Sequence, residues 1–139
     1  MNHAIFTYGT LIYQEILAAI AGKTFMAVPA SLDDFVRYRV RGRVFPGILQ
    51  QRGASVDGVV YLGLSKVQLQ RLDRYESDFY RRQLVRVQLD NGRQLLAWTY
   101  VVPEEKKSVL SREAWDETIF LQQHYPRYLK RCRQWARAC

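Results

Sequence analysis

The tripeptide Asp90-Asn91-Gly92 separates two strand-like runs, residues 84–89 and 95–102. Asn-Gly readily supplies the positive φ angles of a tight hairpin turn, so the two runs are tied into an antiparallel pair. Three further stretches carry strand character. Residues 4–8 read as a short buried strand. Residues 35–44 alternate, with Arg37, Arg39, Arg41 and Arg43 on one face and Tyr38, Val40 and Val44 on the other. Residues 48–51 and 56–64 read as two strands joined through Gly53. No regular helical crossover separates most of these runs. The pattern predicts an α+β fold with a curled or barrel-like sheet rather than a doubly wound one.

Helical signals are confined to three places. Thr10 is placed to cap a helix over residues 11–21, with Gly22 as its stop. Ser65-Lys66-Val67-Gln68 has the capping-box form and opens a helix to about Glu76. Ser111 is placed to cap a helix reaching Tyr125, where Pro126 is expected to interrupt it. Beyond it, Tyr128, Cys132, Trp135 and Cys139 fall at i, i+4, i+7 and i+11, one stripe of a last helix.

With 139 residues, 48% apolar and 24% charged, the chain reads as one soluble domain spanning residues 1–139. Helical separation of Cys132 and Cys139 by seven residues, at ~1.5 Å each, puts them too far apart for a disulfide. Reduced thiols and a cytoplasmic protein are expected. No apolar run is long enough to span a membrane. The net charge of +8 permits contact with nucleic acid but does not establish it.

Several motifs fail. Gly22-Lys23-Thr24 imitates the end of a phosphate-binding loop, but Leu17 stands where the loop's first glycine belongs. There is no G-x-S-x-G, no H-E-x-x-H and no zinc-deaminase signature. With His3 and His124 as the only histidines and no C-x-x-C pair, no structural zinc site is expected. The basic tail (Arg127, Lys130, Arg131, Arg133, Arg137) interleaves with Tyr128 and Trp135. It reads as an amphipathic helix docked by its aromatic stripe, and nucleic acid is not expected as a partner.

Two features point to chemistry. In the helix opened by Ser65, Leu69, Leu72 and Glu76 lie at i, i+3 and i+7, which puts a carboxylate on the apolar stripe. Desolvation there raises a carboxyl pKa. Against this stands a helix that ends before residue 76, or a Glu76 paired with Arg81 or Arg82. The second feature is Tyr8-Gly9-Thr10-Leu11, a strand-to-helix turn whose free amides would cradle an anion. A purely structural turn would show the same residues.

Together these features resemble the gamma-glutamylcyclotransferase-like family, which includes gamma-glutamylamine cyclotransferase and the plant AIG2-like proteins. The resemblance rests on Tyr8-Gly9-Thr10-Leu11, Phe45-Pro46-Gly47-Ile48, Asp57-Gly58-Val59-Val60-Tyr61 and Leu72-Asp73-Arg74-Tyr75-Glu76. It continues through Tyr80-x-Arg82-x-x-Val85-x-Val87 and Ala97-Trp98-Thr99-Tyr100-Val101. It covers a core of about residues 4–102. The helical extension, about residues 111–139, carries no family motif.

The resemblance implies a small mixed β-barrel with short helices around one cavity. It implies Glu76 as catalytic acid/base, and Tyr8, Gly9, Thr10 and Leu11 as the substrate-binding turn. Tyr80 and Tyr100 are candidates to wall the cavity, or else ordinary strand aromatics. The implied reaction closes a small γ-glutamyl substrate to 5-oxoproline with no metal or organic cofactor. Thr10 and Leu11 stand where glutathione-pathway members have Ser-Asn, closer to the gamma-glutamylamine type, and Ser77 stands where the family often has Gly. The competing reading is a non-catalytic interaction module that uses the basic C-terminal helix.

Overall fold

The computed structural model describes residues 2–138, so Cys139, with its place on the helical stripe and its spacing from Cys132, lies outside the described residues. Five strands close into a barrel in the order β1-β3-β2-β4-β5. They are β1 (His3–Thr7), β2 (Met26–Arg39), β3 (Pro46–Leu64), β4 (Arg81–Leu89) and β5 (Gln94–Val101). Neighbours pair antiparallel except β1 and β5, which meet in parallel at Ile5 and Trp98 and close the barrel. The barrel is therefore mixed. The helices are α1 (Gln14–Ala21), α2 (Lys66–Glu76), α3 (Glu117–Ile119) and α4 (Tyr125–Ala138). Among the described residues no helix is long and apolar enough to cross a membrane.

The β4–β5 hairpin turns over Asp90, Asn91 and Gly92. Gly92 but not Asn91 has a positive φ (82°), so this is a three-residue loop with its left-handed residue last rather than a two-residue Asn-Gly turn. The capping box of α2 is complete: the Gln68 amide donates to Ser65 Oγ, and the Ser65 amide donates to Gln68 Oε1. Other expectations need correction. The two strands expected at 48–51 and 56–64 are one strand, β3, running through a register shift opposite Asp33 and Phe35. There Asp34 turns to φ 66° and its Oδ1 accepts the Gly53 amide, so the ladder bends without ending.

Strand β2 begins at Met26, nine residues before the expected run, and ends at Arg39. Pro29 hides this early part from a propensity reading. It is tolerated because β4 pairs with β2 only at Ala30 and Ser31, leaving the β2 edge open beside Pro29.

Two helix boundaries also differ. Thr10 does not cap an α-helix. It opens a 3-10 turn (Thr10–Ile12), and α1 starts after Tyr13. Ser111 caps no helix; Asp116 caps α3, accepting the Ile119 amide. Nor does Pro126 interrupt the last helix. A wider π turn, Phe120–His124, precedes it, and such turns relieve the clash between a proline ring and the preceding carbonyls.

The core divides between the barrel interior, around Phe6, Leu32, Val60 and Val87, and a layer where α1, α2 and α4 cover β1, β3 and β5. In that layer Leu129 and Cys132 of α4 are buried with Ile16, Leu17 and Leu69. Trp135 meets Tyr75 edge-on at 5.3 Å, so α4 docks by its aromatic stripe, while Arg127, Lys130, Arg131, Arg133 and Arg137 stay exposed.

Candidate active site

A cavity of about 330 Å³ opens between the end of β1, the end of α2 and the side of α4. Tyr8, Gly9, Thr10, Leu11, Glu76, Tyr80 and Tyr100 all line it, so the fold brings together every candidate residue. Residues from two other parts of the chain join them, Arg43, Phe45 and Pro46 from one and Tyr128 from the other, along with Tyr75 and Phe79 beside Glu76 and Tyr80.

Glu76 is the last residue of α2. The helix reaches it because the capping box fixes the start and Leu69 and Leu72 are buried below it. Its carboxylate stands among aromatic rings, and among the described residues it has no cationic partner. Arg82 pairs with Asp73 at 2.9 Å and Arg81 with Glu105 at 2.8 Å. The expected alternatives, a helix already ended or a pair with Arg81 or Arg82, do not occur. Burial pushes the Glu76 carboxyl up to about 8, and the negative charge of Asp73 adds to the rise.

Opposite in sequence but adjacent in space, Gly9 lets β1 pass close under the β3 entry. A Cβ there would lie 2.6 Å from Pro46 Cγ and 2.7 Å from its Cδ. Gly58 does the same service on the other side, since a Cβ would run into the Thr7 carbonyl oxygen. The Tyr8 carbonyl is held by Arg37, whose Nη1 donates to it at 2.7 Å. The Tyr61 hydroxyl donates to the Leu11 and Ile12 carbonyls, at 2.9 and 2.8 Å. These contacts fix the turn through its acceptors. Among the described residues, the amides of Gly9, Thr10 and Leu11 have no acceptor, and all three residues line the cavity.

Tyr80 and Tyr100 are anchored at their hydroxyls. Tyr80 donates to the Pro46 carbonyl at 2.7 Å and Tyr100 to Asp73 Oδ1 at 2.7 Å. Phe79 packs edge-on against Tyr80 at 4.8 Å. Burial holds the Tyr8, Tyr80 and Tyr100 hydroxyls protonated well above their ordinary pKa. Sequence reading missed Arg37 as the clamp on the turn and Tyr128 as a cavity residue. The alternating arginines gave no hint that one of them reaches a carbonyl 29 residues away. No three His, Cys, Asp or Glu residues among those described cluster as metal ligands.

A closed mixed barrel whose aromatic cavity holds, among the described residues, one unpaired carboxylate has the gamma-glutamylcyclotransferase-like fold. A structure described as a gamma-glutamyl cyclotransferase shares that fold, with a TM-score of 0.64 at 19% identity over 95% of this chain and 86% of the other. The chain belongs to the family "Gamma-glutamyl cyclotransferase, AIG2-like", which it matches over residues 5–117. The match runs past the motifs legible in the sequence and stops before α4.

Among relatives from Arabidopsis thaliana, AIG2-like protein D is 29% identical, aligned over 96% of this chain and 89% of the relative. Protein AIG2 C is 33% identical over 72% of this chain, and the alignment spans 61% of that longer protein. A solution structure from the same plant superposes with a TM-score of 0.74 at 28% identity, covering 97% of this chain and 82% of the other.

Proposed function

We propose that this chain is a γ-glutamyl cyclotransferase with Glu76 as its acid/base. The substrate's own α-amine attacks its γ-glutamyl carbonyl carbon, the scissile C–N bond breaks, and 5-oxoproline and an amine or amino acid leave. The observation that carries this reading is an unpaired Glu76 lining the same cavity as the Gly9–Leu11 turn, whose amides have no acceptor among the described residues.

A γ-glutamyl substrate keeps a free α-carboxylate beside its ammonium, which holds that ammonium above the ~7.7–8.0 of a peptide amino terminus. Burial pushes the Glu76 carboxyl up toward it, to about 8. The rise narrows the gap between the two, so a proton passes from ammonium to carboxylate at lower cost than to an ordinary carboxylate. The freed amine attacks, leaving a positive nitrogen and a negative oxygen on the tetrahedral carbon. Protonated Glu76 gives its proton to the departing nitrogen as the C–N bond breaks, then takes the surplus proton from the new ring nitrogen. Amides of the Tyr8–Leu11 turn hold an anionic oxygen of the substrate. Tyr80 and Tyr100 wall the cavity and keep the substrate folded, which is an orientation effect.

Thr10 and Leu11 in the turn support a gamma-glutamylamine type of substrate. The buried free thiol of Cys132 suits a cytoplasmic setting. The test incubates the protein with a γ-glutamylamine, a γ-glutamyl amino acid and glutathione, and follows 5-oxoproline. Release from at least one is expected, fastest from the γ-glutamylamine. No release from any of them sinks the reading.

A further inference from the structure

We propose that Tyr128, on α4, binds substrate: its hydroxyl donates to the same anionic substrate oxygen to which the turn amides donate. The inference rests on the cyclotransferase reading, and adds a residue from outside the family-matched segment, which stops at residue 117. The Thr10 hydroxyl donates to Tyr128 Oη at 3.2 Å and the Tyr75 hydroxyl donates to it at 2.8 Å. A phenolic oxygen accepts twice and donates once. Both contacts use its accepting side, so among the described residues its own proton is unspent.

Further observations fit. Tyr128 lines the cavity, and its ring is braced edge-on by Phe120 at 5.4 Å. Its oxygen touches Thr10, whose unspent amide belongs to the same turn, so hydroxyl and amides serve one location. Accepting two hydrogen bonds also strengthens a hydroxyl as a donor. Burial pushes the Tyr128 hydroxyl up to about 12, so it keeps its proton at neutral pH. Tyr128 and Glu76 line the same cavity.

Tyr128→Phe keeps the ring and removes the hydroxyl. If the shared oxygen is the developing oxyanion, kcat falls by roughly 10²–10³-fold with KM little changed. If it is the substrate carboxylate, KM rises by roughly 10–100-fold with kcat little changed. Either split supports the inference. Trp135→Phe disturbs the packing of α4 without touching a hydroxyl and is expected to keep near-wild-type kinetics. Equal losses in both variants, or unchanged kinetics in Tyr128→Phe, overturn the proposal.

Calorimetric titration with the γ-glutamyl compounds separates this failure from that of the parent reading. If wild type binds but does not cyclise them and Tyr128→Phe loses that binding, the function fails and Tyr128 stands. If wild type neither binds nor cyclises, both fall.

Discussion

Asp73 and Glu76 leave α2 one helical turn apart, and the fold treats them oppositely. Asp73 Oδ1 receives Arg82 Nε at 2.9 Å and the Tyr100 hydroxyl at 2.7 Å. Glu76 receives no cation among the described residues, and the charge of Asp73 adds to the rise in its pKa. Asp73→Asn keeps an acceptor for Tyr100 but removes the charge. The acid limb of the pH–rate profile is then expected to move to lower pH. Arg82→Met, which leaves Asp73 uncompensated, moves it higher. Profiles of the two variants that shift the same way contradict this coupling.

Replacing Glu76 with Gln keeps its shape and removes the proton acceptor. Cyclisation is expected to fall by about 10²–10⁴-fold, the usual worth of a general base.

The stability of the same variant has a definite sign. A carboxyl raised from 4.5 to about 8 binds more protons folded than unfolded between those values. Wild type therefore loses stability as pH rises from about 4.5 through about 8, and Glu76→Gln does not. Melts at pH 5 and pH 9 are expected to show the variant gaining on wild type at the higher pH, by up to a few kcal/mol. A variant that melts lower at both pH values, yet cyclises at the wild-type rate, marks Glu76 as structural.

The rate itself follows from the proton count. Productive encounter needs one proton between Glu76 and the substrate amine. Below about pH 8 the pair carries two and lacks a base, and above the pKa of the substrate ammonium it carries none and lacks an acid. A kcat/KM that rises through about pH 8 and falls again at higher pH is expected. A profile flat from pH 6 to 9 excludes a shared proton.

Gly9 and Pro46 form a clash pair, so their substitutions are expected to couple. Gly9→Ala pushes a Cβ against Pro46 Cγ and Cδ and is expected to cost about 1–3 kcal/mol, the usual penalty of overpacking. Pro46→Ala removes those two atoms. In that background the cost of Gly9→Ala shrinks, and a double-mutant cycle on urea unfolding measures the difference. Additive effects place the strain elsewhere.

The basic face of α4 is expected to matter little to folding. Arg133 lies 3.6 Å from Glu15 with both exposed, a pair worth under about 1 kcal/mol. Arg131→Glu combined with Arg133→Glu is expected to change the melting temperature and 5-oxoproline release only slightly. Salt-sensitive nucleic-acid binding by wild type that is lost in the double variant revives the interaction-module reading.

Features that depend on near neighbours along the chain are legible in the sequence alone. The α2 capping box closes over three residues, the β4–β5 turn over another three, and the i+3, i+7 spacing that aims Glu76 is a property of one helix. The same holds for Tyr8-Gly9-Thr10-Leu11, whose amides are freed by a local turn. Boundaries failed where a distant partner overrode local preference. Pro29 stays in β2 because of where β4 ends, and β3 continues past Gly53 because Asp34 on β2 holds its amide.

The rest of the site required the tertiary structure. Arg37 looks like any other basic residue on an alternating strand until barrel closure brings the Tyr8 carbonyl to it. Tyr128 reads from sequence only as one member of an apolar stripe, and 118 residues separate it from Thr10. Periodicity says which face of a helix is buried but not what it is buried against. The chain fixes the carboxylate and the turn locally, whereas the lack of an ion-pair partner for Glu76 among the described residues, and the Tyr128 hydroxyl beside the turn, arise from how the barrel closes and where α4 docks.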